Sequence, residues 1–169
     1  LIEGAMLAMH IAPGLRRHFA AEKWKAVPGN IWDNERVAAK ALERRDEGFL
    51  AFGYDIDPEA VRLTLENAKK AGVAQYISAE VRDIKDFSND GPFGCVICNP
   101  PYGERLLDVK TAEDIYETMG RVFTPKRGWS YAAISPDERF ETCFGKKADR
   151  RRKLYNGMIR CQYYMYFKA

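Results

Sequence analysis

Long apolar runs, cysteine and histidine are all scarce in this sequence of 169 residues. No stretch reaches the roughly 18 apolar residues that a membrane-spanning helix needs, so we expect no membrane partner. Residues 1–12 lack the basic flank and the cleavage site of a signal peptide. The four cysteines are too few for the disulfide framework of a small secreted domain. These absences predict a reduced, cytoplasmic protein.

The cysteines and histidines give little support for metal or redox chemistry. Cys95 and Cys98 form a C-x-x-C pair within a predicted strand, where residues three apart point to opposite faces. One metal ion could not easily contact both sulfurs, and no second Cys or His pair completes a site. His10 and His18 also lack partners at ligand spacing. We therefore expect core positions for both cysteines and no metal ion.

Hydrophobic periodicity predicts strands that alternate with helices in one domain over residues 1–169. A composition that is 46% hydrophobic and 30% charged is sufficient for a core at this length. The predicted helices are 1–9, 30–45, 58–71, 111–123 and 136–144. The predicted strands are 48–54, 76–81, 94–98, 128–134, 152–155 and 158–167.

Local signals define several ends of these elements. Asp57 is a good N-cap, Pro58 suits the first helical position, and Gly72 is a stop signal. The dipeptide Asn156-Gly157 favours a tight turn, which explains Asn156 and predicts antiparallel pairing of the last two strands. The order of elements predicts an α/β fold: a mostly parallel sheet with helices on both faces and a C-terminal antiparallel hairpin.

Three predicted strands end in polar residues, and ligands bind at the carboxyl ends of strands in an open parallel sheet. Asp55 could accept hydrogen bonds from the ribose hydroxyls of an adenosine cofactor, although a simple turn residue is an equal alternative. Asp83 could accept a hydrogen bond from an adenine amino group, or it could cap a turn. Neither carboxylate decides the function alone.

The segment Asn99-Pro100-Pro101-Tyr102 directly follows the third strand and indicates a specific chemistry. Two prolines fix the backbone, and an exocyclic amine, which is a poor nucleophile, needs a rigid site that orients its lone pair. The Asn99 side-chain oxygen and the Pro100 carbonyl oxygen could accept hydrogen bonds from the two N–H groups of that amine. Tyr102 could stack on a base that is turned out of its helix. We interpret this segment as the site of amino-group methylation.

A basic segment precedes the predicted hairpin. The residues that we expect to contact RNA phosphates are Arg150, Arg151, Arg152 and Lys153. An equal alternative is a solvated segment that protects an edge strand from aggregation. The net charge of +3 is too small to decide between the two.

Motifs along nearly the whole chain resemble THUMP-associated bacterial methyltransferases that modify guanine N2 in large-subunit (23S) ribosomal RNA. The segment Asn99-Pro100-Pro101-Tyr102-Gly103-Glu104-Arg105-Leu106 resembles their catalytic loop. The other similar segments are 11–15, Phe19, Trp24, 53–58 and 153–157. The resemblance implies a Rossmann-like class I methyltransferase fold, S-adenosyl-L-methionine as cofactor and ribosomal RNA as partner.

The same resemblance implies roles for individual residues. Asp55 would bind the cofactor ribose and Asp83 its adenine, with Ile56, Ile84 and Asn99 beside them. The methyl-accepting base would lie against Asn99, Pro100, Pro101 and Tyr102. The family also has a first strand with a Gly-rich loop and an N-terminal THUMP RNA-binding module. Since the sequence contains neither, we expect it to be a partial catalytic domain of a longer protein.

Several alternatives remain open at this point. A DNA adenine-N6 methyltransferase uses the same loop chemistry, although no DNA target-recognition insert is recognisable. A non-catalytic nucleic-acid-binding remnant of the fold would keep the sheet without the cofactor. A nicotinamide-dependent oxidoreductase is disfavoured, because the sequence has no Gly-x-Gly-x-x-Gly.

Overall fold

The structure of the protein is a computed structural model that describes residues 1–44, 48–102 and 109–167. The chain divides into two compact units, residues 1–81 and residues 82–169. Our expectation of one domain over residues 1–169 stays a prediction. Among the described residues, no helix has both the length and the apolar character to cross a membrane.

The first unit contains three α-helices and a pair of parallel strands among its described residues. The elements are α1 (Ile2–Ala8), α2 (Gly29–Ala41), β1 (Ala51–Asp55), α3 (Pro58–Ala71) and β2 (Ile77–Val81). Strand β1 pairs with β2 so that Asp55 lies opposite Val81. Helices α1 and α3 contribute to a core that contains Met9, Ala68 and Val73.

Local capping explains the limits of helix α3. The Asp57 carboxylate accepts a hydrogen bond of 2.9 Å from the Glu59 amide, and Pro58 occupies the first turn. Gly72 ends the helix at φ 73°, in the left-handed region that favours glycine. The predicted limits of this helix are confirmed.

Among its described residues, the second unit contains a mixed four-stranded sheet and two α-helices. Its elements are β3 (Gly94–Cys98), α4 (Val109–Val122), β4 (Trp129–Ser135), α5 (Phe140–Phe144), β5 (Arg150–Asn156) and β6 (Ile159–Tyr166). The strand order is β3-β4-β6-β5. Strand β4 is parallel to β3, and β6 is antiparallel to both β4 and β5. Strands β3, β4 and β5 therefore all point the same way, and the predicted antiparallel hairpin is confirmed.

Aromatic side chains form most of the core of this second unit. The Phe140 ring stacks on Tyr164 with centroids 4.5 Å apart, and Phe144 stacks on Tyr166 at 4.4 Å. Tyr116 from α4 meets the edge of Phe140 at 4.9 Å. Rings of this size bury large apolar areas, so this layer holds both helices on one face of the sheet.

Several predicted elements need correction. The predicted helix 136–144 is shortened to α5, because residues 136 and 137 have no regular structure and residues 138 and 139 form a turn. Helix α2 ends at Ala41, and its predicted last residue, Arg45, lies outside the described residues. Cys98 is half-buried and packs against the core as expected, but Cys95 is exposed. Alternation along β3 places Cys95 on the face opposite the aromatic core.

The hairpin turn is one residue later than we predicted. Asn156 is the last residue of β5 and pairs with Ile159, so the two-residue loop is Gly157-Met158. Gly157 has φ 60°, and Met158 is not among the positive-φ residues. Glycine at the first loop position is typical of a type II′ turn, whereas our prediction relied on the Asn-Gly preference of type I′. Asn156 therefore belongs to the sheet.

The close packing of α4 against α5 gives a stability prediction. A Cβ atom on Gly120 of α4 would lie 2.0 Å from the Phe144 carbonyl oxygen. Gly120→Ala should therefore lower the free energy of unfolding by about 1–3 kcal/mol. Gly4→Ala is the control, because its Cβ would meet no atom within 4 Å and alanine favours the α1 helix. Equal effects of the two substitutions in chemical denaturation would contradict this packing.

Candidate active site

The carboxyl edge of the four-stranded sheet gathers three chain segments in the second unit. Strands β3, β4 and β5 point the same way, so Cys98, Ser135 and Asn156 mark the same edge. Residues 99–102, hereafter the proline loop, leave the sheet here. Ligands of open α/β sheets bind at such an edge.

The proline loop presents one exposed amide above a fixed backbone. Asn99 is exposed, Pro100 is buried, and Pro101 and Tyr102 are half-buried. A buried proline limits the freedom of the loop, because its ring fixes φ and packs against the surrounding protein. The loop therefore holds the Asn99 side chain where a ligand could reach it. The continuation 103–106, which contributed to the family resemblance, lies outside the described residues.

A buried hydroxyl network anchors the loop to the fold. The Tyr116 hydroxyl of α4 donates to the Pro101 carbonyl oxygen at 3.3 Å and lies 3.2 Å from Ser135 Oγ. Since Tyr116 has one proton, we assign the Ser135 hydroxyl as donor to Tyr116. Ser135 Oγ in turn accepts from the Asp137 amide at 3.1 Å. Burial raises the pKa of Tyr116, so its donor proton is retained at neutral pH.

The aromatic residue of the loop has a partner that the sequence did not reveal. The Asn156 side-chain amide donates a hydrogen bond to the Tyr102 hydroxyl across a sequence separation of 54 residues. The sequence pattern predicts that Asn156 serves the turn alone. The contact depends on the register of the hairpin and on the strand order, neither of which the local pattern fixes.

The two carboxylates of the predicted cofactor site both organise their own backbone. Asp55 ends β1, and its carboxylate accepts from the Asp57 amide at 2.9 Å. Ile56, beside it, is 71% exposed. In the second unit, Asp83 accepts from the Lys85 amide at 3.0 Å, and its other oxygen lies 3.3 Å from Lys85 Nζ. The backbone hydrogen bond from Lys85 is the main cause that lowers the pKa of Asp83.

These carboxylates remain compatible with ligand binding. Asp55 is exposed and Asp83 is half-buried, so solvent reaches both residues. Ile84 packs partly against the aromatic core, which fixes the short 3-10 helix Ile84–Asp86 that Asp83 caps. The turn alternative that we left open for Asp83 is thus observed, while a contact with adenine stays a prediction.

Strand alternation divides the basic segment between two faces of the sheet. Arg151 donates to Glu141 of α5 through Nε at 2.8 Å and lies 5.7 Å from the Tyr164 ring centroid. Arg150 and Arg152 lie on the opposite face of β5, and both are exposed. Lys153 shares the Arg151 face, with Nζ 5.2 Å from the Tyr155 ring centroid. Arg151 thus has a partner within the fold, and RNA contact by all four residues stays a prediction.

Metal ligands are not clustered in the part of the chain that the structure describes. No group of three His, Cys, Asp or Glu side chains there could hold an ion. Burial raises the pKa of Cys98 to about 12, and its Sγ donates to the Ala132 carbonyl at 3.4 Å. A thiol in this state is a poor metal ligand and a poor nucleophile.

Comparison with known proteins places the chain in one family. A family model described as UPF0020, RMKL-like, methyltransferase domain, matches residues 1–165. The Bacillus subtilis protein YpsC, provisionally named an RNA methyltransferase, is 37% identical over 98% of this chain and 43% of its own length. The ribosomal RNA large subunit methyltransferase K/L of Methylococcus capsulatus is also 37% identical, over 98% of this chain and 23% of its own. The chain spans less than half the length of these relatives.

Solved structures of similar proteins share the fold. SMU.472, described as a methyltransferase on provisional grounds and complexed with SAH, matches with a TM-score of 0.93 and 37% identity, over 99% of this chain and 45% of its own. A Listeria monocytogenes protein described as a predicted N6-adenine-specific DNA methylase matches with a TM-score of 0.88 and 34% identity, over 99% and 43%. The expected Rossmann-like methyltransferase fold is therefore confirmed.

The hydroxyl network gives a prediction about the proline loop. Tyr116→Phe should lower the free energy of unfolding by about 1–2 kcal/mol and speed chymotrypsin cleavage after Tyr102 about fivefold, because Pro101 loses its donor. Tyr131→Phe is the matched control. Its hydroxyl also donates to a carbonyl at 2.8 Å, but that carbonyl belongs to Thr124, which lies outside the proline loop. Mass spectrometry would measure the rate of cleavage after Tyr102 in both variants. Equal rates would refute the anchoring role.

The divided basic segment gives a second prediction. Replacing Arg150 and Arg152 with glutamine should flatten the salt dependence of single-stranded RNA binding, by about 1.4 in the log–log slope if each contacts one phosphate. Arg151→Gln should flatten that slope less, because the Arg151 guanidinium already pairs with Glu141, and should lower the free energy of unfolding by at most about 1 kcal/mol. An unchanged slope for Arg150 and Arg152 would assign the segment to protection of the edge strand.

Proposed function

Because this chain belongs to the UPF0020 family of RMKL-like methyltransferase domains, we propose that it transfers a methyl group from S-adenosyl-L-methionine to guanine N2 in large-subunit ribosomal RNA. The observation that carries the proposal is the proline loop. An exposed Asn99 follows β3 at the carboxyl edge, and buried Pro100 and anchored Pro101 fix the backbone behind it.

The residues present fit the proposed cofactor. Asp55 offers carboxylate oxygens to ribose hydroxyls, and the exposed Ile56 offers an apolar surface to a flat base. Asp83 offers carboxylate oxygens to the adenine amino group, and Ile84 offers an apolar surface to the adenine ring. When bound, S-adenosylmethionine supplies a methyl group on a positively charged sulfur. The binding of SAH by SMU.472 supports this choice of cofactor.

The proline loop would act by orientation. The lone pair of an exocyclic amine is delocalised into the ring, so the amine must be turned and held before it can attack. In our proposal the Asn99 side-chain oxygen and the Pro100 carbonyl oxygen accept hydrogen bonds from the two N–H groups of the amine. Tyr102 stacks on the base. The nitrogen would gain the methyl group as the methyl carbon–sulfur bond breaks, a neutral thioether would be the leaving group, and the methylated nitrogen would release one proton to water. Orientation of this kind would supply most of the rate enhancement, so the reaction would need no strong general base.

Product analysis tests the proposal directly. The full-length protein that contains this chain would be incubated with labelled S-adenosylmethionine and either unmodified ribosomal RNA or duplex DNA, and each nucleic acid digested to nucleosides. We expect N2-methylguanosine. Labelled N6-methyladenine in duplex DNA would instead favour the DNA methylase alternative, which the Listeria relative supports. Label in neither nucleic acid would overturn the proposal and favour a non-catalytic remnant of the fold.

Substitution of the loop amide separates catalysis from binding. In the full-length protein, Asn99→Ala should slow methyl transfer at least about 100-fold, as is typical when one aligned polar group is lost from an active site. The affinity for S-adenosylmethionine, measured by calorimetric titration, should change by less than about tenfold, or about 1.4 kcal/mol. Asn34→Ala, on the exposed surface of α2, is the control. Wild-type turnover in Asn99→Ala would remove Asn99 from the mechanism.

A further inference from the structure

We propose that Asn156, at the end of β5, is a positioning residue that aims the Tyr102 ring at the target base. This inference rests on the proposed function, in which Tyr102 stacks on that base. It assigns a role to a residue outside the proline loop, which lies more than fifty residues after Tyr102 in the sequence. The hairpin β5–β6 thereby becomes part of the active site.

Topology brings the two residues to one edge. Strand β6 is antiparallel to both β4 and β5, so β5 ends where β3 ends. Asn156 is the last residue of β5, and the proline loop begins one residue after β3. Because the turn itself is Gly157-Met158, the Asn156 side chain is not needed to form it. It donates to the Tyr102 hydroxyl instead.

This hydrogen bond completes a two-point attachment. Tyr116 holds the backbone at the Pro101 carbonyl, and Asn156 holds the far end of the next side chain at its hydroxyl. A tyrosine side chain has two rotatable bonds, and fixing both its backbone and its oxygen fixes the direction of the ring axis. Stacking on a base requires a defined ring position, so the attachment lowers the entropy lost when the base binds.

The same strand face carries two exposed cations. Arg150, Arg152 and Asn156 have the same parity along β5 and therefore lie on one face of the sheet. Arg152 is four residues from Asn156, about 13 Å along a strand at roughly 3.3 Å per residue. Phosphate contact at Arg152 and base stacking at Tyr102 can therefore involve neighbouring parts of one RNA strand. Strand β5 would link the two contacts rigidly.

A double-mutant cycle tests the assignment. In the full-length protein, Asn156→Ala and Tyr102→Phe each remove the same hydrogen bond, while Tyr102→Phe keeps the ring. Each should lower the single-turnover rate of methyl transfer to RNA about five- to tenfold. The double variant should be no more than about twofold slower than either single variant, because the shared bond can be lost only once. Effects that multiply would overturn the proposal.

Controls distinguish positioning from a loss of stability. The melting temperature and the affinity for S-adenosylmethionine should stay at wild-type values in all three variants. Tyr155→Phe removes a hydroxyl from the opposite face of β5 and should leave the rate unchanged. A lowered melting temperature with a wild-type rate for the folded protein would mean that Asn156 is only structural.

A binding measurement makes the test independent of turnover. Stacking by Tyr102 should quench the fluorescence of a single-stranded RNA oligonucleotide that carries one 2-aminopurine. Asn156→Ala and Tyr102→Phe should weaken the quenching by the same factor, and Tyr102→Ala should abolish it. If only Tyr102→Ala has an effect, the role of Asn156 is wrong and the proposed function stands. If Tyr102→Ala also has no effect, the role of the loop in base binding fails as well.

Discussion

The reversal of β6 between β4 and β5 is the constraint on which the proposed active site depends. Because β6 is antiparallel to both neighbours, three strands of the second unit end at one edge and the hairpin turn joins them there. If β6 were parallel to β4 and still formed a hairpin with β5, Asn156 would lie at the opposite edge from Tyr102, and a β6 parallel to β5 would need a crossover connection. The connection between β5 and β6 is instead two residues long, so the position of Asn156 is set by sheet hydrogen bonds.

The aromatic layer under the sheet makes that edge rigid. Tyr116, Tyr164 and Tyr166 are almost wholly buried, and each hydroxyl donates to a carbonyl oxygen: those of Pro101, Asp137 and Lys146. A buried hydroxyl without a partner would cost about 1–3 kcal/mol, so these bonds restrict how the rings can pack. Burial raises the pKa of all three tyrosines, which keeps them as donors. Two of the three carbonyls lie in segments next to the carboxyl edge, so core packing and site geometry depend on each other.

Local signals in the sequence were sufficient for some elements and misleading for others. Helix α3 was predicted because Asp57, Pro58 and Gly72 each act within one turn of the chain. The hairpin was predicted one residue early, because Asn-Gly and Gly-Met are both acceptable two-residue loops and only burial decides between them. Shifting the register by one residue would turn Tyr164 and Tyr166 out of the core. The proline loop was predictable from its place after a strand, whereas its contact with Asn156 required strand order and register together.

In the proposed reaction, the weak nucleophilicity of the target amine would explain why so much of the structure serves to hold one short loop. Without a strong base to speed the reaction, the protein can lower the barrier chiefly by fixing the amine, the ring beneath it and the two acceptors in one arrangement. Any conformational freedom left in the loop would have to be lost when RNA binds, and this loss of entropy would lower the affinity or the reaction rate. Prolines remove backbone freedom, Tyr116 fixes the loop from below, and Asn156 fixes the ring from the side. Most of the ordering is therefore completed when the protein folds, and Asn99 is left exposed, as its proposed contact with the substrate requires.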